Sequence, residues 1–569
     1  MNTRRLLSTA LSIFIVAALL ALFFGFRRHA PTFHAPQLSV STRNLPYYAF
    51  CSFYRMLAAY AVALVFSVAY GMSAARGPMW ERWMIPAIDI AQSVPVIGFF
   101  PAAIYFFVAF AHGRLGVELA AIFLIFTSQA WNLALGVFES MRTIPGDSRD
   151  ALEAFGAGGW LRFKRLSLPA CVSKLVYNSI LSWVAGWYFL IACEIITAGP
   201  ARYRLPGLGS YLMEAADRGR AAELVAGLGA LLVIIVAMDV VVWQPLTVWA
   251  EKFRYEFASG AAEPIRSLGM MEALGAIGPD FYHVIHIALR PIIGVARALV
   301  EAIPPLGLHR REQLLRFGRG IGFATIAALW ALFLYALLRG LVALVSALRT
   351  PWPAEARLIP AATVASTIRM VLAYGISLGW TLPCALAASD NPRFSRRLAP
   401  IAEIVGSMPA TALFPIIVVF VIRVTGGMNL ASILLILTGM QWYLLFNLLA
   451  GAKQIPEDLK EAARAYRLTR IATWRKLTLP ALVPSIVTGS ITAWGGGWNA
   501  LILSEYFVYR SKTYKVLGLG ALLDVATYET GNSLMTLLSL LSMVVVVIGL
   551  NRLIWRRMYN VATDRYRLD

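Results

Sequence analysis

Asp150-Ala-Leu-Glu-Ala-Phe-Gly-Ala-Gly-Gly-Trp-Leu-Arg-Phe-Lys-Arg-Leu-Ser-Leu-Pro169 returns later in the chain as Glu461-Ala-Ala-Arg-Ala-Tyr-Arg-Leu-Thr-Arg-Ile-Ala-Thr-Trp-Arg-Lys-Leu-Thr-Leu-Pro480, ungapped and 311 residues further on. Each copy is a polar island in an oily chain. Of its 569 residues, 59% are hydrophobic and only 14% charged, where soluble domains carry about 25% charged residues. A hydrocarbon core about 30 Å thick needs about 20 apolar residues per crossing helix. Runs of that kind occur at 6–24, 50–70, 85–110, 117–137, 175–196, 222–243, 320–341, 363–387, 401–422, 430–449, 486–507 and 534–554. The expected fold is an all-α polytopic membrane protein of about twelve transmembrane helices, and a polar element kept twice in such a protein needs a partner in water.

The repeat extends outward from the quoted stretch. At the same shift of 311, Trp183-Val-Ala-Gly-Trp187 with Glu194 matches Trp494-Gly-Gly-Gly-Trp498 with Glu505, and Gly207-Leu-Gly209 matches Gly518-Leu-Gly520. At a shift of 314, Arg55-Met-Leu-Ala-Ala-Tyr60 matches Arg369-Met-Val-Leu-Ala-Tyr374, and Ser93-Val-Pro95 matches Ser407-Met-Pro409. An even number of spans per half makes the two repeats parallel. The chain then divides into an amino-terminal anchor helix and outer loop (1–48), a first five-helix unit (49–250), a cytoplasmic linker (251–319), an extra helix with its outer loop (320–362) and a second five-helix unit (363–569). The linker holds an amphipathic segment at 281–300 suited to a membrane surface. The first apolar run is read as a retained anchor, since Arg27-Arg28 follows it and no small-residue cleavage site does.

The net charge of +21 sits mainly in alternate loops, among them Arg142, Arg149, Arg162, Lys164 and Arg165, and Lys460, Arg464, Arg467, Arg470, Arg475 and Lys476. The positive-inside rule therefore places these loops and both termini in the cytoplasm. The charge follows membrane topology and calls for no nucleic-acid partner. The loops left outside also carry Arg202, Arg204, Arg218, Arg220, Arg510, Lys512 and Lys515, suited to an anionic solute or an acidic partner. The cysteines Cys51, Cys171, Cys193 and Cys384 lack C-x-x-C spacing, and the six histidines form no ligand set.

In the second copy, Ile455-Pro456-Glu457-Asp458 opens a helix with acids at the positive end of its dipole. Leu459, Ala462, Ala463 and Tyr466 follow at helical spacing, with Ala151, Leu152 and Phe155 at the corresponding last three places of the first copy. After a turn, a second short amphipathic run reaches Leu-Pro at the mouth of the next span. This is the shape of a docking helix with an aromatic tip.

These residues resemble the E-A-A-x(3)-G-x(9)-I-x-L-P loop of binding-protein-dependent ABC importer permeases. The spans that follow look most like the nitrate/sulfonate/taurine branch. The resemblance covers both five-helix units and implies that each loop is a coupling helix seated in a groove of an ATPase subunit. By position it carries over to Asp150, Ala151, Gly156, Leu168 and Pro169, and to Glu461, Ala462, Ala463, Leu479 and Pro480, with Arg467 at the glycine place of the second copy; the aromatic tips Phe155 and Tyr466 join them as expected coupling residues, and the resemblance also implies a bacterial inner membrane. Arg467 stands where the motif has glycine; a left-handed conformation there costs about 1–2 kcal/mol, so either the turn differs or the second loop grips its partner differently. No G-x(4)-G-K-[ST] phosphate cradle occurs in the chain, so ATP and Mg belong to partner subunits and this chain needs no cofactor and is not itself an enzyme.

For the pathway through the membrane the candidates are Glu194 and Glu505, ionisable residues in apolar spans, and the tryptophans Trp187, Trp494 and Trp498 with the adjoining Asn499. Ser93, Pro95, Ser407 and Pro409 join them because they interrupt their spans and free backbone carbonyls. The resulting expectation is a permease subunit of an ATP-driven importer for a small anionic solute, with both membrane halves in one chain, two external ATPase subunits and a periplasmic binding protein. The alternative is an ion-coupled secondary transporter with two six-helix halves. That architecture predicts acids at mid-membrane and a cytosolic signature between the second and third helices of each half, whereas here the duplicated loop follows the fourth.

Overall fold

The computed structural model describes residues 38–253 and 349–565, apart from short gaps of which the longest fall within 94–113 and 415–426. The expected spans at 6–24 and 320–341 and the linker helix at 281–300 lie outside the described residues. The first half runs α1 (Leu45–Ala74), α2 (Pro78–Ser93), α3 (Arg114–Arg142), α4 (Gly146–Ala154), α5 (Leu168–Glu194), the strands β1 (Thr197–Ala198) and β2 (Ala201–Arg202), α6 (Leu208–Asp217) and α7 (Ala221–Met238). The second half repeats the order as α8 (Ile359–Asp390), α9 (Pro392–Ser407), α10 (Met428–Lys453), α11 (Glu457–Ala465), α12 (Leu479–Glu505), the strands β3 (Tyr506–Tyr509) and β4 (Lys512–Lys515), α13 (Leu519–Asp524) and α14 (Ser533–Leu550). Among the described residues, eight helical stretches are long and apolar enough to cross a membrane, four in each half.

The third expected span of each half, 85–110 and 401–422, is not one continuous helix in its described part. Helix α2 ends at Ser93 and α9 at Ser407. In the second half the cause is visible. Met408 is extended (φ −68°, ψ 122°), as the residue before a proline must be, and a new turn starts with the Ala412 N–H donating to the Pro409 carbonyl at 2.9 Å.

Helices pack tightly here because their contact faces carry small residues, which lets dispersion act where no water is expelled. The buried face of α1 is Ser52, Arg55, Met56, Ala59, Ala63, Ser67 and Gly71, and that of α8 is Ser366, Arg369, Met370, Ala373, Ser377 and Thr381. The small partner need not sit on the same helix in both halves. In the first half Asn178 of α5 fills the space over Gly136 of α3; in the second, Asn447 of α10 fills the space over Gly489 of α12. Residues 136 and 447, like 178 and 489, are 311 apart, so one contact has been kept with its large and small members exchanged.

Both halves continue beyond α5 and α12 into an antiparallel hairpin, β1 with β2 and β3 with β4. Helices α6 and α13 then turn back into the protein with most of their residues buried. These hairpins and short helices mark the end of the molecule opposite the charged loops.

Candidate functional site

The two charged loops fold alike. Pro145 and Pro456 stand just outside the helices as caps, and α4 and α11 follow for nine residues each. Both helices stop through a left-handed residue: Gly156 has φ 65° and Arg467 has φ 50°, the only non-glycine positive φ among the described residues. In the second loop the Arg467 N–H reaches the Arg464 carbonyl at 2.9 Å and the Leu468 N–H reaches the Ala463 carbonyl at 3.1 Å, the paired bonds of a Schellman cap. Of the two possibilities left open by the sequence, the turn is therefore the same in both copies, and the second tolerates strain to make it. Replacing Arg467 with glycine is expected to stabilise the isolated chain by about 1 kcal/mol, read as a rise in its thermal midpoint.

The left-handed turn leaves the preceding aromatic side chain standing in solvent: Phe155 is 86% exposed and Tyr466 81%. Asp150, Ala151, Glu461 and Ala462 are also exposed, whereas Ala463 is buried beneath α11. Each loop then enters its span through a π-helical turn, Phe163–Ser167 and Trp474–Thr478, with Leu168 N–H bonded to the Phe163 carbonyl and Leu479 N–H to the Trp474 carbonyl. Pro169 and Pro480 explain the widening, because a proline ring in regular α geometry collides with the carbonyl four residues earlier. The loops are braced differently. Asp390, at the end of α8, accepts from Arg470 Nε at 2.9 Å and from Trp474 Nε1 at 2.7 Å. In the first half, Arg142 pairs with Glu81 at 2.5 Å and Arg149 donates to the Met141 carbonyl.

At the opposite end, Glu194 and Glu505 are buried and ion-paired. Arg55 of α1 holds Glu194 Oε1 through Nη1 at 2.9 Å and grips Glu118 with Nε at 2.6 Å and Nη2 at 2.8 Å. Its Nη1 also donates to the Pro206 carbonyl at 2.9 Å, while Glu194 accepts from Ser52 Oγ at 2.5 Å and the Gly209 N–H at 2.6 Å. The second half repeats this. Arg369 donates to Glu505 at 2.6 Å and to the Leu517 carbonyl at 2.9 Å, and Glu505 accepts from Ser366 at 2.7 Å and the Gly520 N–H at 2.8 Å. Each glutamate thus fastens the end of α5 or α12 to the first helix of its half and to the turn after its hairpin.

A carboxylate can come so close to that turn only over glycine. A Cβ on Gly207 would lie 2.2 Å from Glu194 Oε1, and one on Gly518 would lie 2.1 Å from Glu505 Oε2. Gly518→Ala is accordingly expected to destabilise the protein by about 2–4 kcal/mol, because the glutamate must leave its donors or the turn must shift; thermal unfolding in detergent would register it. In the sequence Arg55 and Arg369 stand out only as marks of the repeat. The signal that identifies them as the partners was present: an arginine three residues after a serine, inside an apolar span, in both copies.

The halves differ in their second acid. Glu118 corresponds to Asn429, whose Oδ1 accepts from Arg369 Nη2 at 2.9 Å. In exchange, Met213 corresponds to Asp524, a buried acid outside the spans that desolvation, helped by the nearby Glu505 charge, holds well above the usual carboxylate range.

The tryptophans pack into the core. Trp183 meets Tyr60 edge-on at 5.5 Å and Trp243 at 5.7 Å, and Trp187 meets Trp183 at 6.5 Å. Trp494 contacts Tyr374 at 6.0 Å and Trp555 at 5.7 Å, and Trp498 is buried. Asn499 lies on a different face of α12, described below. Pro409 is buried at the break after α9; Ser93 and Ser407 end their helices, and Pro95 lies outside the described residues. Of the cations in the loops at this end, Arg218 pairs with Glu214, Arg220 with Glu223 and Lys515 with Glu529.

This arrangement matches known proteins. The family profile of the binding-protein-dependent transport system inner membrane component matches twice, at residues 67–243 and 375–560, more than half of the chain. The chain is 28% identical over 143 residues to the bicarbonate transport system permease protein CmpB of Synechococcus elongatus, covering 25% of this chain and 50% of that one. It is 32% identical over 108 residues to the nitrate import permease protein NrtB of Leptolyngbya laminosa, covering 19% of this chain and 37% of that one. To the taurine transport system permease protein TauC of Escherichia coli it is 28% identical over 141 residues, 25% of this chain and 50% of that one. The chain spans about half the length of the first of these relatives. With two matched copies of one membrane unit, the chain belongs to the family of inner-membrane components of binding-protein-dependent transport systems and is a repeated polytopic all-α protein of that family.

Proposed function

We propose that this chain supplies both membrane halves of an ATP-driven importer for a small solute carrying an oxyanion group, of the bicarbonate, nitrate or taurine kind. Two ATPase subunits bind ATP and Mg and hydrolyse the nucleotide, each receiving one charged loop in a surface groove. A periplasmic binding protein delivers the solute, and one copy of this chain serves each transporter. The observation that carries the reading is the pair of nearly fully exposed aromatic tips, Phe155 and Tyr466, presented by the same left-handed turn in both halves. A large aromatic ring held in water serves no purpose within this chain and is what a protein partner recognises.

The mechanism follows from rigidity. The loop helix is joined through a π-turn to α5 or α12, and that helix is locked at its far end by the Arg55–Glu194 or Arg369–Glu505 pair. A displacement imposed at the tip by closing ATPase subunits passes along the helix to the hairpin end and moves the two halves relative to each other. The termini and charged loops face the cytoplasm in this scheme. The family match and the place of the duplicated loop after the fourth span of each half favour it over an ion-driven carrier.

The test is uptake by proteoliposomes containing this chain, Walker-motif ATPase subunits encoded beside it and the cognate binding protein. Accumulation of labelled solute that requires internal or external ATP and ignores proton and sodium gradients is expected. Uptake that follows an ion gradient with no ATPase present would refute the scheme.

A further inference from the structure

Two corresponding stripes of α5 and α12 are chemically unequal. On α5 the face is Tyr177, Leu181, Val184 and Tyr188; on α12 the residues 311 later are Thr488, Thr492, Gly495 and Asn499. The spacing of four, three and four residues keeps each set on one helical stripe. None of the eight is charged. The Tyr188 end of the stripe meets the second half directly: Thr411 Oγ1 donates to the Tyr188 carbonyl at 3.1 Å. Tyr188 and Leu503, one turn beyond Asn499, both pack on a cluster of Met213 from the first half with Phe414, Leu435 and Phe507 from the second. This apolar plug closes the hairpin end of the interface. Toward the charged loops the stripes open, with Tyr177 60% and Leu181 37% exposed, Thr488 exposed, and nothing near Gly495.

Just inside the plug lie two buried polar atoms with no partner among the described residues, the Tyr188 hydroxyl and Asn499 Oδ1. They occupy the same place in the two repeats. Buried polar groups left unmade are costly, and this pair, beside the opening of the stripes rather than in the packed core, calls for an occupant. The Asn499 amide has a fixed sense. Its Nδ2 donates to the Gly495 carbonyl at 3.1 Å, and a flipped amide would set oxygen against oxygen, so the open atom is an acceptor. Tyr443 stands beside them. A Cβ on Gly496 would come within 2.7 Å of its ring, and its hydroxyl is near enough to Tyr188 to interact with it electrostatically.

We propose that Tyr188, Tyr443 and Asn499 form a solute subsite beneath the plug, which takes a small net-neutral solute with a donor group at one end and acceptor oxygens at the other, a zwitterion such as an aminosulfonate. The Asn499 oxygen receives the solute's ammonium, and the tyrosine hydroxyls donate to its oxyanion end. An acceptor-only anion leaves Asn499 unanswered and meets no cation on either stripe to offset its charge. Neutral partners also hold the solute weakly enough to let it go. The proposal rests on the transporter reading above, because it places the solute path between the halves.

Equilibrium binding to the purified chain in lipid nanodiscs tests it, with labelled taurine as the zwitterion and nitrate and bicarbonate as competitors. Taurine is expected to bind saturably and at least about tenfold more tightly than nitrate. Asn499→Leu and Tyr188→Phe should each weaken taurine about tenfold, the size expected for one lost buried hydrogen bond. Asn499→Asp, which keeps an acceptor, should retain it, and Tyr211→Phe, at another buried unpartnered hydroxyl, should leave it unchanged. No saturable taurine binding, nitrate binding as tight as taurine, or undiminished binding in Asn499→Leu would overturn the assignment. Capture of ATPase subunits does not depend on these residues, so a failure here is distinguishable from a failure of the transporter reading.

Discussion

Arg55→Met is expected to lower the stability of the chain by about 3–5 kcal/mol, the cost of leaving a buried charge without its partner. The guanidinium is 1% exposed and faces two carboxylates, Glu118 at 18% exposure and Glu194 at 0%. Removing it strands Glu194 and also brings two acids together with nothing between them. Arg369→Met should cost less, because Asn429 replaces one of the carboxylates there and a neutral amide is not repelled by Glu505. The ranking is the discriminating part. Thermal unfolding in detergent should place Arg55→Met well below Arg369→Met, and adding Glu118→Gln to Arg55→Met should recover part of the loss. Equal effects in the two halves would mean that the second acid does not matter.

The second large effect is expected at the loop tips and should leave stability alone. Phe155 and Tyr466 are so exposed that aspartate at either position removes almost no buried surface. In a complex each ring would be a central anchor, and such anchors contribute about 2–4 kcal/mol apiece. Each single substitution should therefore weaken capture of the ATPase subunits by roughly thirtyfold or more, and the pair should abolish it. In the proposed scheme the two tips engage separate subunits, so the losses should combine. The tip before Arg467 is held by a strained cap while that before Gly156 is not, and Arg467→Gly should preserve capture while raising the thermal midpoint.

Much of this was legible because duplication tests each reading twice. An exposed aromatic before a left-handed residue, a helix opened by a proline cap and a loop ending in Leu-Pro all depend on local backbone chemistry, which sequence spacing records directly. The Arg55–Glu194 pair was harder because its members are on different helices, and the two repeats are offset by 314 at one and 311 at the other. Only the fold brings those segments together. The tryptophans illustrate another gap. A spacing of four residues puts Trp494 and Trp498 on one face of α12, but it does not say which face turns to the core, and Tyr374 with Trp555 decides it. The break after Ser407 was anticipated from the following proline. Its consequence, that the third span of the second half is not one unbroken helix over its described part, depended on how the carbonyls freed there find new partners.

The most direct measurement is quantitative capture of the co-expressed ATPase subunits by the detergent-solubilised chain, comparing the unaltered protein with the Phe155→Asp, Tyr466→Asp double variant at matched thermal stability. Two ATPase subunits per chain are expected to co-purify with the first and none with the second. Retention of both subunits by a folded double variant would contradict the account.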